Sequence, residues 1–262
     1  MKFFVIFLLI LSFNCEASGI PVLEYHQVTD DKPAGDTVIS PARFKEQMDY
    51  LHDSGYQTLS IDELVSIMNR QTAMPEKAIV ITFDDGFVSV LNATPVLQAN
   101  KMKASFWIIT SFLKIDPPKM KGQYLKIDQL KILAANPNFQ IESHTVTHPS
   151  DVDNNLSTWV KDQPKNKNAT EALIELDASK MMLEEIMGKR VDYIAWPSGY
   201  YNQTLLDIAK IAGYKATITI DEGVNFPGDD PFKIKRLFID GNCDLAHFIK
   251  TLVIGATNKC TK

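Results

Sequence analysis

The stretch AIVITFDDG, residues 78–86, decides the fold class of this chain of 262 residues. Its first six positions form a continuous apolar run, which is typical of a strand buried on both faces of a parallel sheet. Two carboxylates, Asp84 and Asp85, follow directly, and the carboxyl ends of parallel strands form the site face of α/β proteins. Adjacent carboxylates repel each other unless a cation or a proton separates them. Taken alone, Asp-Asp-Gly is more typical of an ordinary strand-ending turn.

Similar strands alternate with helices along the chain, which predicts parallel strands covered by helices. The helical patterns include residues 88–100, despite Pro95, and the long amphipathic run 172–187. About seven strand–helix steps suit a barrel better than an open sheet. No G-x-G-x-x-G follows the first strand, which argues against a dinucleotide-binding fold. The predicted strands are residues 22–25, 78–83, 104–110, 139–143, 192–196, 216–220 and 234–239.

The first residues predict a secretory signal. Lys2 is followed by nine apolar residues, whereas a membrane span needs about 20. A cut after Ala17 gives a signal peptide, residues 1–17, and a mature domain, residues 18–262, without a transmembrane span. A lipoprotein attached through Cys15 is one alternative. A buried N-terminal strand or helix is another.

Composition describes an ordinary globular protein, with 45% apolar and 23% charged residues. The net charge of −5 disfavours a nucleic-acid partner held by phosphate contacts. No internal repeat or linker divides the chain, so we expect a single α/β domain. The polar stretch 149–168 is interpreted as an insertion after a site loop. In an exported protein, Cys243 and Cys260 could pair or remain free thiols.

A pair of histidines directly follows another predicted strand. His144 and His148 are four positions apart, a spacing that places both imidazoles on one face of a helical turn. Such a pair can hold a divalent metal, and Asp84 or Asp85 would complete a set of two histidines and one carboxylate. That set leaves positions open for water and substrate. The alternative is a pair of surface histidines.

Two further strand ends present groups that can act in catalysis. His26 follows the first strand, although a lone histidine after an apolar run is more often structural. The Pro-Ser-Gly turn at residues 197–199 can present backbone N–H groups to an oxyanion, but alone it is an ordinary turn. Together, the strand ends offer a base, metal ligands, an acid and oxyanion donors. Metal-assisted amide hydrolysis requires this combination of groups.

Two motifs, Thr-Phe-Asp-Asp-Gly at residues 82–86 and Ser-His-Thr-x-x-His at residues 143–148, resemble those of the polysaccharide deacetylase superfamily, carbohydrate esterase family 4. The resemblance covers residues 21–254 and implies a distorted (β/α)7-type barrel. Residues 22–28 and 194–199 more particularly resemble segments of the poly-β-1,6-N-acetylglucosamine deacetylases. In those enzymes the motifs are in permuted order, and an early Tyr-His segment supplies a catalytic histidine.

Matched position by position, the resemblance implies a role for each polar site residue. Asp84 would be the general base that activates the attacking water. Asp85, His144 and His148 would be the ligands of a divalent metal, zinc by preference. His26 would be the general acid that protonates the leaving amine.

The resemblance also implies contacts around these groups. The backbone N–H of Ser198 would help to hold the oxyanion, although the related enzymes have an aromatic residue at this position. Tyr25 and Trp196 would contact the substrate. The wider family braces its base with an arginine, where this chain has Ala195. Arg236 is a candidate substitute, and the alternative is a surface arginine at a strand end.

We therefore expect an exported, metal-dependent N-deacetylase, periplasmic or extracellular, that acts on N-acetylglucosamine units of a glycan polymer and associates at most peripherally with the cell envelope. Alternative substrates are peptidoglycan, chitin-type polymers or a lipid-linked amino sugar. A glycan-binding barrel without turnover is an alternative of another class, and bound metal without acetate release would favour it. A purely structural metal would need a closed four-ligand site, and the sequence shows no fourth ligand.

Overall fold

The computed structural model describes residues 19–161, 169–257 and 260. The predicted signal peptide, with Cys15, lies outside the described residues. The strands are β1 Val22–Tyr25, β2 Gln27–Val28, β3 Val38–Ile39, β4 Gln57–Leu59, β5 Ala78–Phe83, β6 Ala104–Ile108, β7 Phe139–Ser143, β8 Ser150–Asp151, β9 Asn154–Asn155, β10 Tyr193–Ala195, β11 Ala216–Glu222 and β12 Ile234–Phe238. The α-helices are α1 Pro41–Asp53, α2 Ile61–Met68, α3 Thr94–Ala99, α4 Ile127–Ala134, α5 Leu156–Lys161, α6 Ala169–Met187, α7 Gln203–Ile211 and α8 Leu245–Ile254.

Seven parallel strands in the described part of the chain close into a barrel, in the order β1, β5, β6, β7, β10, β11 and β12. The first strand completes the ring, because it pairs with β5 on one side and with β12 on the other. Val22 lies opposite Val80, and Leu23 lies opposite Leu237. Helices surround the strands, so the expected single-domain (β/α)7-type barrel is confirmed.

A short extra strand distorts the barrel at the end opposite the site. β4 pairs with the first half of β5, with Leu59 opposite Val80, whereas β6 pairs with its second half, with Thr82 opposite Ser105. The strand therefore lies between β5 and β6 where these two have separated. The sequence analysis does not predict β4, because two of its three residues are not buried and form no apolar run.

Alternating side chains of the strands contribute to two separate apolar cores. Ile79, Ile81 and Phe83 of β5 pack in the larger core with residues of the surrounding helices. Val80, on the other face of the same strand, packs with Trp107 in a smaller core. Because neighbouring strand residues point to opposite faces, the smaller core fills the barrel interior. Every residue of β5 is buried, as the uninterrupted apolar run predicts.

The helix predicted over residues 88–100 is divided in two. A 3₁₀ turn, Val88–Asn92, precedes α3, and Pro95 lies in the first turn of α3. Proline is favourable at that position because the first N–H groups of a helix have no partner within it. The proline therefore begins a new helix instead of interrupting a longer one.

Two features near the chain's polar and C-terminal segments complete the fold. The described part of the stretch 149–168 forms the β8–β9 hairpin and α5, neither of which the sequence analysis predicts. Cys243 and Cys260 form a disulfide across α8, with their Cα atoms 5.5 Å apart. Of the two alternatives for these cysteines, the structure has the paired one.

Among the described helices, none combines the length and the apolar composition needed to cross a membrane.

Candidate active site

A cleft of about 180 Å³ opens at the carboxyl ends of the barrel strands. The topology explains this placement, since β1, β5, β7, β10 and β12 all end at the same rim. Several residues singled out from the sequence meet there. The lining residues are Glu24, His26, Thr37, Asp84, Asp85, Phe87, His144, His148, Trp196, Ser198, Ile220 and Arg236.

The three predicted metal ligands form one compact group. Oδ1 of Asp85 lies 3.4 Å from Nε2 of His144 and 3.6 Å from Nε2 of His148. Their ligand atoms all lie within 4.8 Å of one another. The structure therefore brings together, from the ends of β5 and β7, side chains that are far apart in sequence.

The two histidines do not lie on a helical turn, so that part of the prediction is wrong. Thr145 and His148 both have left-handed backbone conformations, with φ of 65° and 53°. The carboxylate of Glu175, on α6, accepts hydrogen bonds from the backbone N–H groups of Val146 and Thr147 at 2.9 and 3.0 Å. A loop anchored to α6, and not helical periodicity, places both imidazoles over Asp85.

The chemistry of this donor set fits a divalent metal. The Nδ1 atom of His144 lies 2.9 Å from the carbonyl oxygen of Ala195. This contact holds the ring with Nε2 towards Asp85, as carbonyl partners of zinc-binding histidines do. Burial, with the charge of His144, lowers the pKa of His148 to about 4. A neutral imidazole is the form that binds metal. Two imidazoles and one carboxylate leave coordination positions open, as in catalytic zinc sites.

Asp84 is clamped by Arg236. The guanidinium donates from Nη1 to Oδ1 at 2.7 Å and from Nη2 to Oδ2 at 2.8 Å. Its Nε atom donates to the carbonyl oxygen of Thr219 at 2.8 Å. Burial alone would raise the pKa of Asp84, but the charges of Arg236 and His144 outweigh it and lower that pKa. Arg236 is only 2% exposed, so it is not a surface arginine. It contacts Asp84 in the way expected of the substitute for the arginine that Ala195 replaces.

Glu24 is a site residue that the sequence analysis missed. Its carboxylate is buried, with Oε2 3.4 Å from Nε of Arg236 and Oε1 3.9 Å from Nε2 of His26. Burial raises the pKa of Glu24, and the charge of Arg236 opposes that rise. The available signal was a single carboxylate within the otherwise apolar strand β1, since such a residue is rarely buried without a partner.

His26 lies beside Asp84 and Glu24, whose ligand-type atoms are within 4.8 Å of its own. The ring packs edge-on against Phe238, with centroids 6.1 Å apart. Among the described residues, no hydrogen-bond partner faces the buried Nδ1 atom of His26. His26 is thus placed on the Asp84 side of the cleft, apart from the three-residue metal group.

The turn at residues 197–199 carries Ser198 into the cleft. Ser198 and Gly199 both have positive φ, 49° and 69°. A Cβ atom at Gly199 would lie 2.1 Å from Cγ1 of Ile220, so the turn rests directly against that side chain. Ile220, half exposed at the rim, also lines the cleft, and the sequence analysis missed it together with Thr37 and Phe87.

The two predicted substrate contacts differ in their placement. Trp196 lines the cleft, although it is fully buried by its neighbours. Tyr25 does not: its hydroxyl donates to Oε1 of Gln47 at 2.6 Å, and its ring packs against Phe44 and Phe83. A substrate contact through Tyr25 is incompatible with this position, because in β1 the side chain of Glu24 faces inward and that of Tyr25 therefore faces the helices.

The polysaccharide deacetylase family model matches residues 71–217, more than half of the chain, so the chain belongs to this family. The predicted family is thereby confirmed, and relatives named in it are carbohydrate N-deacetylases, hydrolases that act on amide bonds. His26 and Arg236 lie outside the matched residues. Their place in the site rests on the barrel closing through β1 and β12.

Individual relatives agree with this assignment. The Bacillus subtilis protein YxkH is 29% identical over 78% of this chain and 65% of its own length. The poly-beta-1,6-N-acetyl-D-glucosamine N-deacetylase of Escherichia coli is 25% identical over 90% of this chain, which spans 39% of that enzyme. The solved structure of the Streptococcus pyogenes deacetylase PplD, in complex with acetate, superposes with a TM-score of 0.76 at 26% identity, covering 89% of this chain and 98% of that one.

Proposed function

We propose that this chain is an exported, metal-dependent N-deacetylase that removes acetyl groups from N-acetylglucosamine units of a polysaccharide. One observation carries the proposal: the carboxylate of Asp84, held ionised by Arg236, lies next to the compact group of Asp85, His144 and His148. A fixed base beside a metal-binding group is the arrangement that hydrolysis of an unactivated amide requires.

Asp85, His144 and His148 would hold the cation, and zinc suits two imidazoles and one carboxylate. When bound, it supplies Lewis acidity to the acetamide carbonyl. Asp84 accepts the proton of the attacking water, and Arg236 keeps its carboxylate ionised and fixed. His26 donates a proton to the nitrogen as the C–N bond breaks.

Ser198 serves the same step through its backbone. Its N–H group donates to the oxyanion of the tetrahedral intermediate, a role that needs no aromatic side chain. Trp196 forms part of the apolar wall of the cleft. Both residues line the cleft with the base and the metal group.

The relatives support a poly-β-1,6-N-acetylglucosamine-like substrate, because the E. coli enzyme so named aligns over 90% of this chain. Export accords with a polymer outside the cytoplasm and with the basic, apolar start of the sequence. Sequencing the N-terminus of protein recovered from the periplasm or the medium tests export. A start near Ser18 supports it, and retention of residues 1–17 in cytosolic protein contradicts it.

Acetate release from purified glycans tests the activity. The panel comprises poly-β-1,6-N-acetylglucosamine, chitin oligomers and peptidoglycan glycan strands, each with chelator-treated protein and with protein reloaded with zinc. We expect zinc-dependent release, greatest on the β-1,6 polymer, and none from the Asp84→Asn variant. Release on another glycan alone would reassign the substrate. Glycan binding without acetate release on any polymer would instead favour a binding protein.

A further inference from the structure

The proposed reaction assigns no role to one buried ionisable side chain at the site. Glu24 is 6% exposed, and its carboxylate lies between His26 and the ion pair of Asp84 with Arg236. A carboxylate buried among apolar strand residues is costly unless charged partners compensate it. This inference rests on the proposed function, because it concerns how the same site protonates its leaving group.

The charged groups that face Glu24 lie on or directly after four different strands. They are Arg236 of β12, Asp84 after β5, His26 after β1 and His144 after β7. Arg236 already satisfies Asp84 with both Nη atoms. Only its Nε side faces Glu24, and that atom donates to Thr219. The arginine charge is therefore shared between two carboxylates, so a second cation near Glu24 would further stabilise its ionised form.

The imidazolium that the proposed general-acid step requires at His26 is a cation in the right place. Its Nε2 atom lies 3.9 Å from Oε1 of Glu24, which is too long for a hydrogen bond but well within the range of a strong charge interaction in a buried site. With His26 protonated, two carboxylates face two cations, so the cluster of Glu24, Asp84, Arg236 and His26 is electrically neutral. Without Glu24 the same cluster would carry an excess positive charge.

We propose that Glu24 is a positioning residue that holds the imidazole of His26 in place for donation to the leaving amine. In that step the C–N bond breaks, its electron pair goes to nitrogen, and the proton on His26 Nε2 forms the new N–H bond. Glu24 does not touch the substrate. It acts through His26, on the half of the reaction that expels the amine, and leaves the attack of water to Asp84.

Leaving-group dependence separates this role from general structural support. An acetamide releases an amine only with a proton, whereas 4-nitrophenyl acetate releases nitrophenolate without one. We expect Glu24→Gln to lower kcat on an N-acetylglucosamine oligomer about tenfold or more, as weakened general-acid catalysis does, while hydrolysis of the aryl ester changes less than about twofold. His26→Ala should show the same selectivity. The double variant should be no slower than His26→Ala, because residues acting as a unit are not additive.

Glu142→Gln is the matched control. Its carboxylate is also buried in the barrel but accepts the backbone N–H groups of Asp192 and Tyr193, at 3.0 and 2.9 Å, and does not approach His26. Any loss in this variant should be equal on the amide and the ester. Glu24→Asp, which keeps the charge on a shorter arm, should show a smaller amide-selective loss than Glu24→Gln, and it serves as the test if Glu24→Gln does not fold.

The outcomes distinguish this inference from the function on which it rests. An equal loss of amide and ester hydrolysis in either Glu24 variant, or additive losses in the double variant, would overturn the positioning role while the wild type still deacetylates. Wild-type protein that releases acetate from no acetamide would contradict the proposed function itself.

Discussion

Arg236, on the last strand of the barrel, holds Asp84, at the end of β5, through two parallel hydrogen bonds of 2.7 and 2.8 Å. Both side chains are almost completely buried. Paired donation of this kind fixes the plane of the carboxylate as well as its charge. The orientation of the proposed base is therefore set by a strand that follows it by 152 positions in the sequence.

Removing the arginine should cost both stability and activity. Arg236→Ala leaves the carboxylate of Asp84 buried without its cation, a change that typically costs about 3–5 kcal/mol. Urea unfolding, with acetate release measured on the folded fraction, checks both effects. Arg190→Ala is the control: it breaks an ion pair with Asp192 in which the arginine is 71% exposed, and such pairs are worth at most about 1 kcal/mol. Equal losses in the two variants would refute a special role for the buried pair.

Metal affinity should rise with pH across the neutral range. Burial lowers the pKa of His144, but the hydrogen bond to Asp85 and the charges of Asp84 and Asp85 outweigh it, so its pKa lies above the ordinary histidine value. The metal-free protein thus holds a proton on His144 that the metal must displace. His148, with a pKa of about 4, adds no dependence near neutrality. Zinc competition with a chelator, followed from mildly acidic to mildly alkaline pH, measures the slope. An affinity independent of pH would contradict this prediction.

His26 should be separable from the metal group. We expect His26→Ala to lower kcat on acetamides by about 10²–10⁴, the usual contribution of a general acid, while zinc still binds to Asp85, His144 and His148. Zinc content by atomic absorption, together with acetate release, checks this. His148→Ala, in contrast, should lose both metal and activity. Loss of zinc in His26→Ala would show that the two groups are not independent.

The turn that carries Ser198 should tolerate no side chain at Gly199. A Cβ atom there meets Cγ1 of Ile220 at 2.1 Å, and φ is 69°. Gly188 has a similar φ of 64°, but a Cβ atom there would have no neighbour within 4 Å among the described residues. Gly188→Ala should therefore cost only about 1 kcal/mol of backbone strain, whereas Gly199→Ala adds overpacking of about 1–3 kcal/mol. Thermal unfolding compares the two, and equal costs would mean that Ile220 moves freely aside.

The disulfide should contribute to stability and not to chemistry. Cys243 and Cys260 are 17 positions apart, and closing a loop of that size stabilises a protein by about 3 kcal/mol in the chain-entropy model. We expect the Cys243→Ser/Cys260→Ser variant to unfold at lower urea concentration with kcat unchanged. Because neither sulfur lines the cleft, a large fall in kcat at full folding would disprove this separation.

Local patterns in the sequence predict most of the barrel and the core of the site. The apolar run before Asp84 and the histidine motif after β7 mark strand ends, and parallel strands bring such ends together. The helical turn predicted for His144 and His148 is wrong because a spacing of four fits a helix and this loop equally well. The anchoring of that loop by Glu175 is a tertiary contact that no local pattern shows.

The remaining errors and omissions come from strand pairing and strand parity. Whether Arg236 contacts Asp84 depends on how the barrel closes. The local sequence around either residue does not indicate which strands pair. Tyr25 was expected to contact the substrate, but its neighbour Glu24 is the residue that lies in the site. Successive side chains of a strand point to opposite faces, so a shift of one position exchanges the two faces. Glu24 consequently faces the site, and Tyr25 packs under α1.

Closure of the barrel through its first and last strands also governs when the site comes into existence. Pairing of Leu23 with Leu237 joins the two ends of the described barrel, and contacts of such long sequence separation form slowly during folding. The proposed base has no clamp until β12 docks, because Arg236 lies on that strand. Completion of the proposed site therefore requires the most distant pairing of the barrel strands.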